Sequence, residues 1–284
     1  MTLQWQLLTF PSIADIVQAR EQCHQAIQNV SAVGRSFLPE SKEDVNANLE
    51  WDSKLQRLVG RWVETEDITF RSSISISEMT VYLVDRKFET ISSIALQDKT
   101  QTDIMIWLEH QLGELGFESS KINLAYPYQI PEYATAKGQP FQVTNMVACR
   151  ELSRLYNNTS LLIQKHTVKE ENHTSVKCWP HHFDIAGQII LQDTGDPATS
   201  RSIGVGMSPG DKYYIEPYFY VSPWPYPTKD LPNLDRTLGH WHTDDWIGGV
   251  LPVSKLADFD LIQDQRGTLD QFYKLAIDGL KNLL

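Results

Sequence analysis

The sequence has few cysteines, and no two of them are spaced as a reactive or metal-binding pair. Its 284 residues contain three, Cys23, Cys149 and Cys178, which lie far apart and form no Cys-x-x-Cys motif. An odd number at such spacing favours neither a disulfide framework nor a thiolate zinc site. We therefore expect a reducing, cytoplasmic location.

Long apolar runs and excess positive charge are also missing. No stretch approaches the roughly 18 to 20 apolar residues that span a bilayer, and no Lys or Arg precedes the short apolar run near the N-terminus. The 25 Lys and Arg against 36 Asp and Glu give a net charge of -11, which repels phosphate backbones and anionic lipids. We expect a soluble protein with no signal peptide, no membrane partner and no nucleic-acid partner; the sequence sets no oligomeric state.

Hydrophobic patterning predicts an α+β fold in which antiparallel β-sheets are flanked by helices. Apolar residues at helical spacing predict helices at 12–33, 101–115, 143–160 and 268–283. Alternating or β-branched runs predict strands within 55–97, at 121–126, 161–168, 179–192, 201–207 and 213–222, and a short strand before the last helix. Runs of strands followed by helices are typical of α+β proteins rather than of βαβ alternation.

The predicted elements follow the same order twice along the chain: helix, antiparallel strands, helix. This order predicts an N-terminal half at 1–126, a connection containing Pro and Gly at 127–142, and a C-terminal half at 143–284. The two halves are either pseudo-repeats or parts of one continuous unit.

Histidines are concentrated near the C-terminus: six of the eight follow residue 165, and four lie in the segments CWPHHFDIAG and GHWHTDDW. In an extended strand His182 and Asp184 would share one face, and His240 and His242 would also point together. Imidazole and carboxylate groups bind zinc, iron, nickel or manganese. One hypothesis is therefore a divalent metal held by His182, Asp184, His240 and His242.

A metal-free acid–base role is the alternative chemistry, because the ordinary pKa of histidine lies near neutrality. A purely structural role also stays open, since buried histidines are commonly hydrogen-bonded without any function in catalysis. For an enzyme of either kind, the candidate catalytic residues are His181, His182, Asp184, Glu216, His240, His242 and Asp244.

The segment 206–210, Gly-Met-Ser-Pro-Gly, matches the Gly-x-Ser-x-Gly pattern of a hydrolase nucleophile elbow. In that elbow the residue after the serine donates its backbone N–H to the oxyanion. Here that residue is Pro209, which has no N–H. The segment instead predicts a turn in which Gly210 takes the permissive backbone conformation.

Aromatic residues are dense in the segment IEPYFYVSPWPYP, where Tyr218 and Tyr220 alternate with Phe219. Such density either packs a core or lines a pocket for a flat or sugar-like small molecule. A non-catalytic ligand-binding protein is thus the second functional hypothesis, and a structural or interaction protein is the third. The predicted cleft residues are Tyr218, Tyr220, Trp224 and Trp241.

Seven segments, in order, carry a resemblance: LQRLVGRW, ITFRSSISI, WLEHQLGELGF, HHFDIA, GVGMSPGD, EPYFYVSPWPYP and GGVLP. They resemble a bacterial family of uncharacterised proteins catalogued as domain of unknown function 5996. The resemblance covers most of the chain and implies one continuous unit, but it supplies no activity and no catalytic residues. The family segment similar to HHFDIA has the Phe-Asp pair but does not always have the double histidine, and HWHTDD has no clear counterpart. The resemblance therefore implies no metal site common to the family.

Overall fold

A computed structural model describes residues 4–41, 45–66, 68–122, 124–196 and 198–284. These residues form four α-helices and two antiparallel sheets, which confirms the predicted α+β class. The chain divides into two units. Unit 1 comprises Met1–Phe10, Arg154–Lys177 and Asp184–Leu284, and unit 2 comprises Pro11–Ser153 and Cys178–Phe183. No helix among the described residues is both long and apolar enough to span a bilayer.

Unit 2 contains two helices, α1 (Ile13–Phe37) and α2 (Gln101–Glu114). Its strands are β1 (Glu50–Asp52), β2 (Arg57–Val59), β3 (Val63–Glu64), β4 (Thr69–Ser75), β5 (Thr80–Asp85) and β6 (Thr90–Ala95). They form one antiparallel sheet in the order β1-β2-β4-β5-β6, and β3 also pairs with β4. The predicted hairpin around 85–87 is confirmed as the connection between β5 and β6.

The core of unit 2 lies between α1 and the sheet. Phe70 and Ile74, which share the predicted apolar face of β4, are both fully buried. On the same face the Ser72 hydroxyl donates to the Val30 carbonyl oxygen of α1 at 2.9 Å. Alternation along β4 therefore places its apolar side chains against the helix, as the sequence predicts.

The structure describes residues 121, 122 and 124–126 of the strand predicted at 121–126. For these residues the prediction is wrong. A short 3-10 helix at Ser119–Lys121 precedes it, and the Ile122 N–H donates back to the Ser119 carbonyl at 3.1 Å. Residues 124–126 are not in a strand and lead to Pro127, which cannot donate to a sheet ladder. The predicted connection at 127–142 lies within unit 2 and contains a second 3-10 helix at Ala134–Lys137.

The strand predicted at 161–168 is also wrong, because helix α3 spans Met146–Thr167. A short apolar run such as Leu161–Ile163 fits a buried strand and a buried helix equally well by its pattern alone. The Thr167 hydroxyl donates to the Ile163 carbonyl at 2.9 Å, a contact between successive helical turns.

The second sheet has the strand order β11-β12-β10-β9-β8-β7, and strands β8 to β12 belong to unit 1. The strands are β7 (Lys177–Trp179), β8 (Asp184–Gln192), β9 (Arg201–Ser208), β10 (Tyr218–Trp224), β11 (His240–His242) and β12 (Gly248–Pro252), and helix α4 spans Ile262–Leu283. Helix α4 covers one face, where Phe219 and Tyr273 meet edge to face and the Tyr273 hydroxyl donates to the Gly206 carbonyl at 2.9 Å. Tyr218 and Tyr220, which alternate with Phe219 along β10, therefore point to the other face.

An N-terminal segment, 4–10, is bound to the helices of unit 1 by two buried side-chain amides. Asn158 of α3 accepts from the Gln6 N–H at 2.8 Å and donates to the Gln6 carbonyl at 2.7 Å. Gln265 of α4 accepts from the Leu8 N–H at 3.0 Å and donates to the Leu8 carbonyl at 3.2 Å. Each side-chain amide thus bonds to both the backbone N–H and the backbone carbonyl of one residue. A neighbouring strand would satisfy the same two groups in a sheet.

Candidate functional site

The open face of the unit 1 sheet, opposite α4, brings tyrosines and histidines together. In the antiparallel register Tyr220 of β10 lies opposite Val250 of β12, which lies opposite His240 of β11. Residues directly opposite one another point to the same face. Tyr220 and His240 consequently share the open face, and so do Tyr218 and His242 by alternation.

Two glycines make room for large rings on this face. A Cβ atom at Gly206 would lie 2.5 Å from Cζ of Tyr220, and one at Gly248 would lie 2.5 Å from an atom of the Trp246 ring. Real Cβ atoms do not approach so closely, so both rings depend on a glycine beneath them. The Trp246 ring in turn stacks on the imidazole of His242, with ring centroids 4.4 Å apart.

The hydroxyl of Tyr214 lies between the two histidines of β11. It is 2.9 Å from Nε2 of His240 and 3.0 Å from Nδ1 of His242. On its other side His242 has Nε2 at 2.6 Å from the backbone oxygen of Asp244. The prediction that His240 and His242 point together is confirmed.

These contacts fix the direction of every hydrogen bond when both histidines are neutral. A carbonyl oxygen only accepts, so His242 carries its proton on Nε2 and its Nδ1 must accept from Tyr214. The Tyr214 oxygen then accepts from His240, which must carry its own proton on Nε2. The result is a chain from His240 through Tyr214 to His242, which leaves Nδ1 of His240 as an acceptor.

The pKa values of His240 and Tyr214 favour the neutral forms of these two side chains. Burial, His242 and Lys255 all lower the pKa of His240 from its usual value near 6.5. Burial, with Asp211 and Asp244 nearby, raises the pKa of Tyr214 above its usual value of 10. His240 is exposed while His242 is buried, so the chain connects the surface to the interior of unit 1.

Three aspartates around the histidines each accept a hydrogen bond from a tyrosine. Tyr220 donates to Asp184 at 2.6 Å, Tyr218 to Asp211 at 2.7 Å and Tyr213 to Asp245 at 2.7 Å. Burial and the adjacent carboxylates raise the pKa values of Tyr218 and Tyr220 well above the usual value. These two hydroxyls stay protonated at neutral pH and hold their carboxylates in place.

The prediction that His182 and Asp184 share a strand face is wrong. The strand predicted at 179–192 is interrupted between β7 and β8, where the N–H groups of His182 and Phe183 both donate to the Trp179 carbonyl. Phe183 has a φ of 56°, which turns the chain before β8 begins. His181 and His182 therefore lie in a turn of unit 2, with ring centroids 4.3 Å apart, while Asp184 belongs to unit 1.

Two other predicted catalytic residues have different contacts from those expected. Glu216 accepts from the backbone N–H of Ser254 at 2.8 Å and from its hydroxyl at 3.0 Å, rather than from a histidine. Asp244 contacts His242 through its backbone oxygen and not through its carboxylate. Glu216 acts here as a loop anchor, and Asp244 sets the tautomer of His242.

The predicted aromatic cleft is wrong in one member. Trp241 lies opposite Gly249, where it contacts the α4 side of the sheet, and its Nε1 donates to the Pro232 carbonyl at 2.7 Å. It therefore cannot share a face with Tyr218 and Tyr220. Trp224 is the last residue of β10, points to the same face as Tyr218 and Tyr220, and is 44% exposed.

The sequence patterns do not identify Tyr214, Tyr213 and Asp211 as site residues. The only signal for them is the tyrosine pair in DKYYIEP, which predicts the start of a strand at 213–222; the strand begins instead at Tyr218. By contrast, the predicted turn after Ser208 is confirmed: Gly210 has a φ of 109° and donates to the Ser208 hydroxyl at 3.2 Å.

Over the described part of the chain, no three His, Cys, Asp or Glu side chains converge as a metal site. Metal binding by His182, Asp184, His240 and His242 stays a prediction. Comparison with protein-family models, with curated proteins and with solved structures gave no match to this chain, so the resemblance to the bacterial family of unknown function also stays a prediction.

Proposed function

We propose that this protein is an acid–base enzyme in which His240 takes up or releases a proton at the surface of unit 1. The observation that carries the proposal is the Tyr214 hydroxyl, held within 3.0 Å of an imidazole nitrogen of both His240 and His242. A neutral imidazole oriented by hydrogen bonds is a suitable general base near pH 7. The substrate is a small molecule that lies against His240.

The hydrogen-bond chain gives the proton a route away from the substrate. When Nδ1 of His240 accepts a proton, its Nε2 proton passes to the Tyr214 oxygen. The Tyr214 hydroxyl proton passes to Nδ1 of His242. The positive charge then resides on His242, whose Nε2–H remains bonded to the Asp244 carbonyl. Return of the proton along the same chain makes His240 the acid of a later step.

A chromogenic panel of aryl esters, aryl phosphates and aryl glycosides tests the proposal. We expect His240→Asn to lower turnover of a responsive substrate by about 100-fold or more, the usual contribution of a general base. His110→Asn is the matched control, because His110 is exposed on α2 in the other unit. Equal turnover by both variants, or no turnover of any substrate by the intact protein, would count against an acid–base enzyme.

Metal content separates the two chemistries considered for this cluster. The Tyr214 oxygen lies between the two imidazole nitrogens, which supports the metal-free route. Elemental analysis of untagged protein, before and after incubation with zinc, iron, nickel and manganese salts, is the direct measurement. Near-stoichiometric metal that is lost in the His240→Asn variant would replace the metal-free route with a metal-dependent one.

A non-catalytic ligand-binding role is the second candidate, favoured by exposed aromatic rings at the end of β10. Trp224 is 44% and Tyr226 40% exposed, and their rings meet edge to face at 5.9 Å. Exposed paired rings suit a flat or sugar-like ligand. The three cysteines are free and buried, which supports our proposal that either role is carried out in the reducing cytoplasm.

A further inference from the structure

Unit 1 contains a small cavity between the N-terminal segment and helices α3 and α4, separate from the site around His240. It has a volume of about 170 Å³ and is lined by Trp5, Leu161, Leu162, Lys165 and Arg266. Its walls combine an indole ring, two leucines and two cationic side chains. This composition differs from that of the open sheet face, where tyrosine, histidine and aspartate predominate.

The Trp5 wall is held in place by its neighbours in the chain. Gln6 is fixed on both backbone polar groups by Asn158, and the Gln4 carbonyl accepts from the Asn157 side chain at 3.1 Å. Trp5 is only 8% exposed, and its Nε1 has no hydrogen-bond acceptor among the described residues. A buried N–H donor without an acceptor is unfavourable, and an acceptor brought by a ligand would relieve that cost.

The charge around the cavity favours an anion. Lys165 forms an ion pair with Asp270 at 2.6 Å, and the carboxylate of Asp270 offsets the positive charge of Lys165. Arg266 is exposed, and it takes part in none of the ion pairs identified among the described residues. Arg266 and Trp5 both line this cavity, and a guanidinium group and an indole N–H are both suitable donors for a carboxylate.

A larger cavity lies beside the smaller one along α3. It has a volume of about 500 Å³, and it shares Leu161 and Lys165 with the smaller cavity. Leu161, Val168 and Val176 supply the apolar surface of its lining, and the other lining residues are polar. The two cavities together provide donors for an acidic head at one end and an apolar surface for a chain at the other.

We propose that the two cavities along α3 act as one groove, which binds a small organic carboxylate with an unbranched apolar tail. The carboxylate lies between Arg266 and Nε1 of Trp5, close to Lys165. The tail follows Leu161 towards Val168. The site is independent of the acid–base chemistry proposed for His240, so either assignment can fail without the other.

Thermal unfolding of the full chain with sodium octanoate, compared with acetate and inorganic phosphate, tests the proposal. Octanoate is expected to raise the melting temperature with a dissociation constant of about 1 mM or lower. Acetate and phosphate, which lack the tail, should bind at least about tenfold more weakly, since each buried CH₂ adds affinity. No stabilisation by octanoate, or equal stabilisation by all three anions, would overturn the proposal.

Two exposed positions allow the head and tail contacts to be tested without disturbing the core. Arg266→Gln should weaken octanoate binding about tenfold by removing the charged donor. Lys274→Gln, on the same helix but outside the groove, should leave it unchanged. Val168→Asp, at a side chain that is 65% exposed, should weaken octanoate and leave acetate unaffected. Equal responses of the Arg266 and Lys274 variants would refute the anion site.

Trp5→Phe tests the indole donor, because it keeps an aromatic ring and removes the N–H. Octanoate binding should weaken about tenfold in this variant, provided that its melting temperature without ligand shows a folded protein. Unchanged affinity would remove Trp5 from the site, and with it the argument from the unsatisfied donor.

Discussion

Nε2 of His24 lies 2.9 Å from the backbone oxygen of Pro180, and both belong to unit 2. The oxygen can only accept, so His24 carries its proton on Nε2, and its Nδ1 accepts from the Tyr133 hydroxyl at 2.8 Å. His24 is therefore held in one neutral tautomer. Burial lowers its pKa to about 4.

His24 should make the stability of the protein depend on pH. The unfolded chain binds the proton at a higher pH than the folded one, so the free energy of unfolding falls as pH decreases from about 6.5 to about 4. The full contribution is about 3 kcal/mol. Urea unfolding across this pH range should show this decrease in the free energy of unfolding for the parent protein. The decrease should be smaller for the His24→Gln variant. Identical pH slopes would contradict a neutral buried His24.

The tautomers of His240 and His242 can be measured without a substrate. Nitrogen NMR near pH 7 should show both imidazoles protonated on Nε2. Tyr214→Phe removes the hydrogen-bond donor to Nδ1 of His242 and should shift the Nδ1 resonance of His242. The same substitution should lower the free energy of unfolding by about 1 kcal/mol. His173, an exposed histidine of unit 1 whose Nδ1 lies 3.1 Å from the Glu170 carbonyl, should keep its spectrum. If the Nδ1 resonance of His242 were the same in the parent protein and in Tyr214→Phe, the hydrogen-bond chain through Tyr214 would be refuted.

Gly206 should tolerate no side chain, whereas Gly204 on the same strand should. A Cβ at Gly206 meets Tyr220 at 2.5 Å and the Ile185 carbonyl at 2.8 Å, but one at Gly204 finds its nearest neighbour at 3.7 Å. We expect Gly206→Ala to cost about 1–3 kcal/mol or more and to displace Tyr220 from Asp184. Gly204→Ala should be neutral or slightly stabilising. Equal unfolding free energies in urea would show that Tyr220 does not pack on Gly206.

Gln265 should be more important for stability than an ordinary polar helix residue. Gln265→Leu leaves both backbone polar groups of Leu8 without partners, and we expect a loss of about 2–4 kcal/mol. Gln263→Leu, at an exposed position of the same helix, is the control and should change stability by less than about 0.5 kcal/mol. Limited proteolysis should also release the N-terminal segment in the first variant only. Similar stability of both variants would mean that the segment does not depend on this amide.

Local patterns in the sequence were sufficient for the α+β class and for the shared faces of the strand residues in the candidate site. Alternation along β10 and β11 placed Tyr218 and Tyr220 on one face and made His240 and His242 point together, because side-chain direction in a strand follows from the backbone alone. The turn at Gly210 followed from local backbone preferences in the same way.

Tertiary structure decided what depends on residues far apart in the chain. Tyr214 lies outside any regular element, so no periodicity marks it; packing alone brings its hydroxyl between two histidines more than twenty residues away. The turn before β8 separates His182 from Asp184, and the amides of Asn158 and Gln265 bind a segment more than a hundred residues distant. Sequence patterns record the geometry of neighbouring residues, whereas these contacts depend on how complete elements pack.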